Sequence, residues 1–307
     1  LTVNQRPLNA TLARQYDGTT TSAGSTLSSF DALQGGETLT LSGSGTSASA
    51  NVANGIAMSS NGNLALVDGT GLASNYSLNS TVINITPRVL NSSGSKIYDA
   101  NTDALAADIT LSNLVSGETL NHSGTATISS ANTGNYTINN LTGITLADNT
   151  GTASNYTLTG GTHNFTVNPK VVSIQGNKTY DGNTTISSGD ITSITDTVGA
   201  ETLVISSGSG TVSSANAATY ASADINEGTL TLGNGTNGGL ASNYTLTGHA
   251  ASSFQVAQRV LSSSGSRIYD GSTTASSSDL TLSNLVGSET LTLSGHGILA
   301  NANVGTS

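Results

Sequence analysis

The sequence predicts an all-β protein: a tandem array of small antiparallel β-sandwich domains, Ig-like or Greek-key-like, strung into a rod. Three observations lead there. Short runs of Thr, Val, Ile and Leu alternate with polar residues, the pattern of half-buried strands. No run of good helix formers shows a helical period. One phrase, a cation, a spacer and Tyr-Asp, is written four times, as "ARQYDG", "SKIYDA", "NKTYDG" and "SRIYDG". A catalytic motif needs writing once, whereas a phrase that returns at a fixed period belongs to the construction of a repeated unit.

The anchor tyrosines are Tyr16, Tyr98, Tyr180 and Tyr269, at steps of 82, 82 and 89 residues. "GETL" at Gly36 to Leu39 returns at Gly117 to Leu120, and as "AETL" and "SETL" ending at Leu203 and Leu291. "ASNY" ends at Tyr76, Tyr156 and Tyr244. All eight Lys and Arg residues keep step. Arg6, Arg88, Lys170 and Arg259 stand ten residues before an anchor, and Arg14, Lys96, Lys178 and Arg267 stand two before it. Four copies follow, at 6–87, 88–169, 170–258 and 259–307, the last truncated, and residues 1–5 are the end of a preceding copy.

Within a copy, the Asp of the phrase reads as a turn-maker, because its side chain bonds nearby backbone N–H groups. Ala100 stands where the other copies have Gly, so the position is not expected to demand a positive φ. The Tyr is expected to anchor its own domain's core. The cation should lie beside it, with Glu37, Glu118, Glu201 and Glu289 as candidate partners. "DLTLSNLVGSETLTLSG" (Asp279 to Gly295) reads as a hairpin turning near Gly287. The apolar pairs Ile83/Ile85, Phe165/Val167 and Phe254/Val256 mark a closing strand with one face in a core. That strand runs straight into the next copy through Pro87 or Pro169, with no Gly/Ser spacer to loosen the joint. Six or seven short strands make up each copy, about 80 residues that bury only a modest core.

Composition excludes several functions. A net charge of −10 with only 8% charged residues gives no basic footprint for nucleic acid and nothing to hold an anionic membrane. No apolar run approaches a membrane span, so no membrane insertion by this segment is expected. Without Cys there are no disulfides and no thiolate chemistry. His122, His163, His249 and His296 fall out of step with the repeat and read as scattered surface residues. No P-loop, dinucleotide fingerprint or serine elbow appears. Calcium wants six to eight oxygens, yet only two acidic positions recur in every copy. The site expectation is therefore no catalytic, no cofactor-binding and no metal-ligating residue, and no cofactor. No intramolecular Lys–Asn isopeptide is expected, because the first and fourth copies contain no Lys and Arg cannot serve as the nucleophile.

The "YDG" phrase, the "GETL" turn, the "ASNY" phrase and a closing strand ending in Pro resemble the YDG-type repeats, related to MBG repeats, of bacterial filamentous-haemagglutinin-like surface adhesins. The resemblance covers nearly the whole chain, with departures at Ala100 and at Gln258, which replaces Pro. It implies a secreted protein of the bacterial cell surface or extracellular matrix and no enzymatic activity. The leading expectation is a non-enzymatic stalk or fibre segment that gives an adhesin reach. Its partners would be neighbouring repeats of the same chain and a second chain associating laterally, as in a biofilm filament. The alternative is a repeat-wise module binding a surface glycan or host protein. An ice-binding threonine array has only pieces such as Thr38 to Thr46 behind it.

Overall fold

The computed structural model describes residues 1–138 and 140–305. It is all β, with short 3₁₀ turns and no α-helix among the described residues. Small sheets recur along the chain in the rhythm of the repeat. The chain divides into two compact units, Leu1–Lys96 with Asn101–Asn168, and Ile97–Ala100 with Pro169–Ser307.

In the first unit, the strand Arg6–Gln15 opens the copy, and Leu8, Ala10 and Leu12 alternate into the core. The closing strand Tyr76–Thr86 buries Ile83 and Ile85, as its alternation predicts. The two strands pair in parallel, from Arg6↔Tyr76 to Gln15↔Thr86, with one irregularity at Leu8/Asn9. They lie inside a six-stranded sheet, flanked by Ala53–Ser60 and Leu27–Phe30. A second, two-stranded sheet pairs Leu39–Ser42 with Ala65–Asp68. Parallel pairing of first and last strands has a geometric consequence: the chain enters the copy at one end of the ladder and leaves at the other. The copy at 88–169 repeats the plan. Tyr156–Thr157 runs parallel to Arg88–Val89, and Asn91–Ile97 lies beside His163–Asn168.

The second unit carries the same arrangement. Lys170–Val171 pairs in parallel with Tyr244–Thr245, and Ser173–Thr179 with Ser253–Ala257. In the last copy Ser262–Gly265 pairs with Leu280–Ser283, and Thr274–Ser276 with His296–Ile298.

The copies trade volume across the parallel ladder. Leu12 and Ile83 fill the first core. At the matching positions the next two copies have Gly94 with Phe165, and Gly176 with Phe254. A Cβ on either glycine would come within 2.8 Å of the phenyl ring, so the glycine is the space the ring occupies.

Two expectations are corrected here. The segment 279–295 is not a hairpin: Leu280–Ser283 pairs with Ser262–Gly265, and residues 288–295 form no strand. In the complete first copy Leu27–Phe30 joins the opening strand while Leu39–Ser42 crosses to the other sheet. Alternation shows that each strand has a buried face; it does not say which strand lies beside it. His163 is not a surface residue. It is 5% exposed, with Nδ1 2.9 Å from Ser92 Oγ and Nε2 2.8 Å from Leu158 O.

Candidate functional site

The recurring residues converge on one place, the junction at which a copy meets the next. The phrase begins with its cation. Lys178 Nζ lies 3.0 Å from Asp181 and donates to Asn183 O and Thr185 O, each at 2.8 Å. Arg14 pairs with Asp17 and donates to Thr19 O, and Arg267 lies 3.0 Å from Asp270. Asp17 also accepts from the Thr19 N–H at 2.9 Å and the Thr19 hydroxyl at 3.0 Å. Burial would raise its carboxyl, but the Thr19 bonds and the Arg14 charge outweigh this and hold it below the usual value. The cation therefore serves the Asp and the loop carbonyls. The recurring Glu, the expected partner in this cluster, bonds the Tyr hydroxyl rather than the cation at Tyr16, Tyr98 and Tyr180.

The residue after the Asp is left-handed in every copy, with φ of 77° at Gly18, 64° at Ala100, 78° at Gly182 and 76° at Gly271. This corrects the expectation drawn from Ala100: alanine there accepts a conformation it disfavours. At Gly18 a Cβ would also come 2.9 Å from Val115 of the next copy.

The second cation position holds the crossover loop. Arg88 donates to Asn113 O at 2.6 Å and Oδ1 at 2.8 Å, and Arg259 donates to Asn284 O and Oδ1, each at 2.7 Å. Asn113 and Asn284 are left-handed, at φ 69° and 71°. The tight turn that follows, closed by Glu118 N–H to Val115 O at 3.0 Å, presents the recurring Glu.

The anchor Tyr does not serve its own copy's core alone, which corrects the reading of it as a domain anchor. Tyr16 is 5% exposed, and its hydroxyl donates to Glu118 Oε1 at 2.6 Å, 102 residues along the chain. Tyr156, the end of "ASNY", donates to Glu118 Oε2 at 2.6 Å and accepts from the Val115 N–H at 3.1 Å. The two rings meet edge to face, with centroids 5.4 Å apart. One carboxylate is thus shared by a Tyr from each copy. The buried cluster around it runs from Leu12, Ile83 and Ile85 through Tyr16 and Tyr156 to Leu120. Asn155, fully buried, reaches back: its Oδ1 accepts from the Val52 N–H at 2.9 Å and its Nδ2 donates to Asn51 Oδ1 at 3.0 Å.

The second unit holds the same constellation. Tyr98 donates to Glu201 Oε1 at 2.8 Å, Tyr244 to Oε2 at 2.6 Å, and the rings lie 5.3 Å apart. Burial first, and then the bond to the carboxylate, push Tyr98, Tyr156 and Tyr244 up to about 12. Further along, Tyr180 donates to Glu289 and is half-buried. Tyr269 is 62% exposed. The buried anchors Tyr16 and Tyr98 each meet a Glu and an Asn-Tyr of the next copy. Nothing local in the sequence signals this; only the shared phase of Tyr, Glu and Asn-Tyr does.

Among the described residues, no group of three or more His, Asp or Glu could hold a metal. A family model described as the YDG domain matches residues 3–83, 84–164 and 256–307. The stretch between the last two matches carries the same strands and the Tyr180, Glu201 and Tyr244 marks. Neither the curated proteins nor the solved structures give a match to the chain. By three matched repeats spanning most of its length, the chain belongs to the YDG domain family.

Proposed function

We propose that the chain is a non-enzymatic stalk or fibre segment of a large bacterial adhesin, secreted to the cell surface or extracellular matrix, whose work is reach. The observation that carries this is the use made of the recurring residues. Tyr16, Tyr98, Tyr156 and Tyr244 are buried against Glu118 and Glu201 rather than displayed. The parallel ladder of each complete copy also sends the chain out at the end opposite to where it came in. A short joint through Pro87 then favours a linear array. Neighbouring repeats are the partners this reading names first, and lateral association of chains through sheet edges would turn a stalk into a matrix filament. The alternative, repeat-wise binding of a surface glycan or host protein, calls for recurring exposed aromatics, and the recurring aromatics are spent at the junctions.

Small-angle scattering on the 307-residue chain tests the reading. An array of three complete copies and part of a fourth should span on the order of 100–150 Å. A radius of gyration near ~19 Å, that of one compact body of this length, would overturn it.

A further inference from the structure

We infer that each complete copy is a mechanical clamp: its opening and closing strands form a parallel ladder that tension along the chain loads in shear. In the first copy tension enters at Arg6 and leaves at Thr86. These residues lie at opposite ends of a ladder that runs Arg6↔Tyr76 to Gln15↔Thr86. The hydrogen bonds of the ladder lie across the pull, so they resist together. Had the two strands been antiparallel, both loaded ends would sit at one end of the ladder, and the bonds would open one at a time.

Four further features suit the load. The two strands are interior to their sheet, flanked by Ala53–Ser60 and Leu27–Phe30, so neither can be stripped from an edge. Leu8, Leu12, Ile83 and Ile85, at most 1% exposed, keep water from the bonds on one face. The Tyr16 N–H bonds Thr86 O at 2.9 Å and closes the loaded end. A single residue, Pro87, separates the closing strand from Arg88–Val89 of the next copy, which leaves no slack to absorb extension. The third copy repeats the ladder, from Lys170↔Tyr244 and Val171↔Thr245 to Gln175↔Ser253 and Thr179↔Ala257.

That tension runs along the chain in the cell rests on the stalk reading, but the clamp itself is tested within one copy. The chain has no native Cys, so two double-cysteine variants of the full chain define two pulling directions. Thr2→Cys with Thr86→Cys loads the ladder in shear. Thr2→Cys with Leu72→Cys, both ahead of the Arg6↔Tyr76 end, peels it. The three positions are exposed, so both variants keep the native fold, checked by an unchanged melting curve. Single-molecule pulling at one loading rate should give a rupture force at least about threefold higher in shear than in peeling, because forced unfolding follows the barrier along the pulled direction. Equal forces in the two directions, or extension without a rupture in shear, would overturn the clamp. A compact scattering profile, by contrast, would sink the stalk and leave this result standing.

Discussion

Replacing Tyr16 by Phe removes one hydroxyl and leaves the ring. The lost bond is the 2.6 Å contact to Glu118 Oε1, a charge-assisted bond in a half-buried setting. Such a bond contributes about 1.5–3 kcal/mol, and Glu118 keeps Tyr156 as a second donor, so a cost of about 1.5–2 kcal/mol is expected. With a urea dependence of about 1–3 kcal/mol per molar, the midpoint should fall by roughly 0.5–2 M. Hydrogen exchange locates the loss. The Val115 N–H bonds Tyr156 Oη and the Val52 N–H bonds Asn155, so these amides report from both sides of the junction. Their protection should fall about 10- to 30-fold. Tyr269→Phe supplies the control: the ring is 62% exposed, and its loss of a hydroxyl should cost less than about 0.5 kcal/mol. Equal effects of the two substitutions would refute the junction reading. So would a Tyr16→Phe effect confined to residues 6–87.

Three more outcomes follow from the same geometry. Gly176→Ala puts a Cβ 2.5 Å from Asp190 O and 2.8 Å from the Phe254 ring and should cost about 1–3 kcal/mol in urea melts, with only the share due to the ring recovered by adding Phe254→Leu. Tyr98, Tyr156 and Tyr244 are raised to about 12 in the fold, against about 10 in the unfolded chain. Their contribution to stability should be complete below pH 10 and lost as pH rises to about 12, since the fold then holds protons the unfolded chain has released; tyrosinate absorbance and melting temperature read both. Lys178 donates to Asn183 and Thr185 and pairs with Asp181, so residues 170–258 should keep Lys178 free of an isopeptide bond, read as no ammonia loss on that copy's peptides.

Much of the fold was legible because it is periodic at two scales. Alternation at Ile83/Ile85, Phe165/Val167 and Phe254/Val256 marked the closing strands, and the 82-residue step of the Tyr marked the copies. What stayed hidden was long-range. A strand's buried face says nothing of its neighbour, so Leu280–Ser283 looked like half of a hairpin. The partner of Tyr16 lies 102 residues away, and a large amphipathic ring reads equally well as a core anchor or as a plug for the next domain. Ala100 misled because a junction that over-determines the backbone can hold alanine at φ 64°. The exchange of Leu12 and Ile83 for Gly94 and Phe165 was present in the sequence, but only knowledge that the two strands are neighbours gives it meaning.

The central claim is that the Tyr of one copy is spent on the Glu of the next. A double-mutant cycle on the full chain, pairing Tyr16→Phe with Glu118→Gln and, separately, with Glu37→Gln, tests it most directly. Tyr16 and Glu118 share a bond, so their effects should fall short of additive by about 1–2 kcal/mol. Tyr16 and Glu37 share none, Glu37 being bonded to Tyr76, and their effects should add within about 0.5 kcal/mol. Additivity with Glu118, or coupling with Glu37 in its place, would contradict the account.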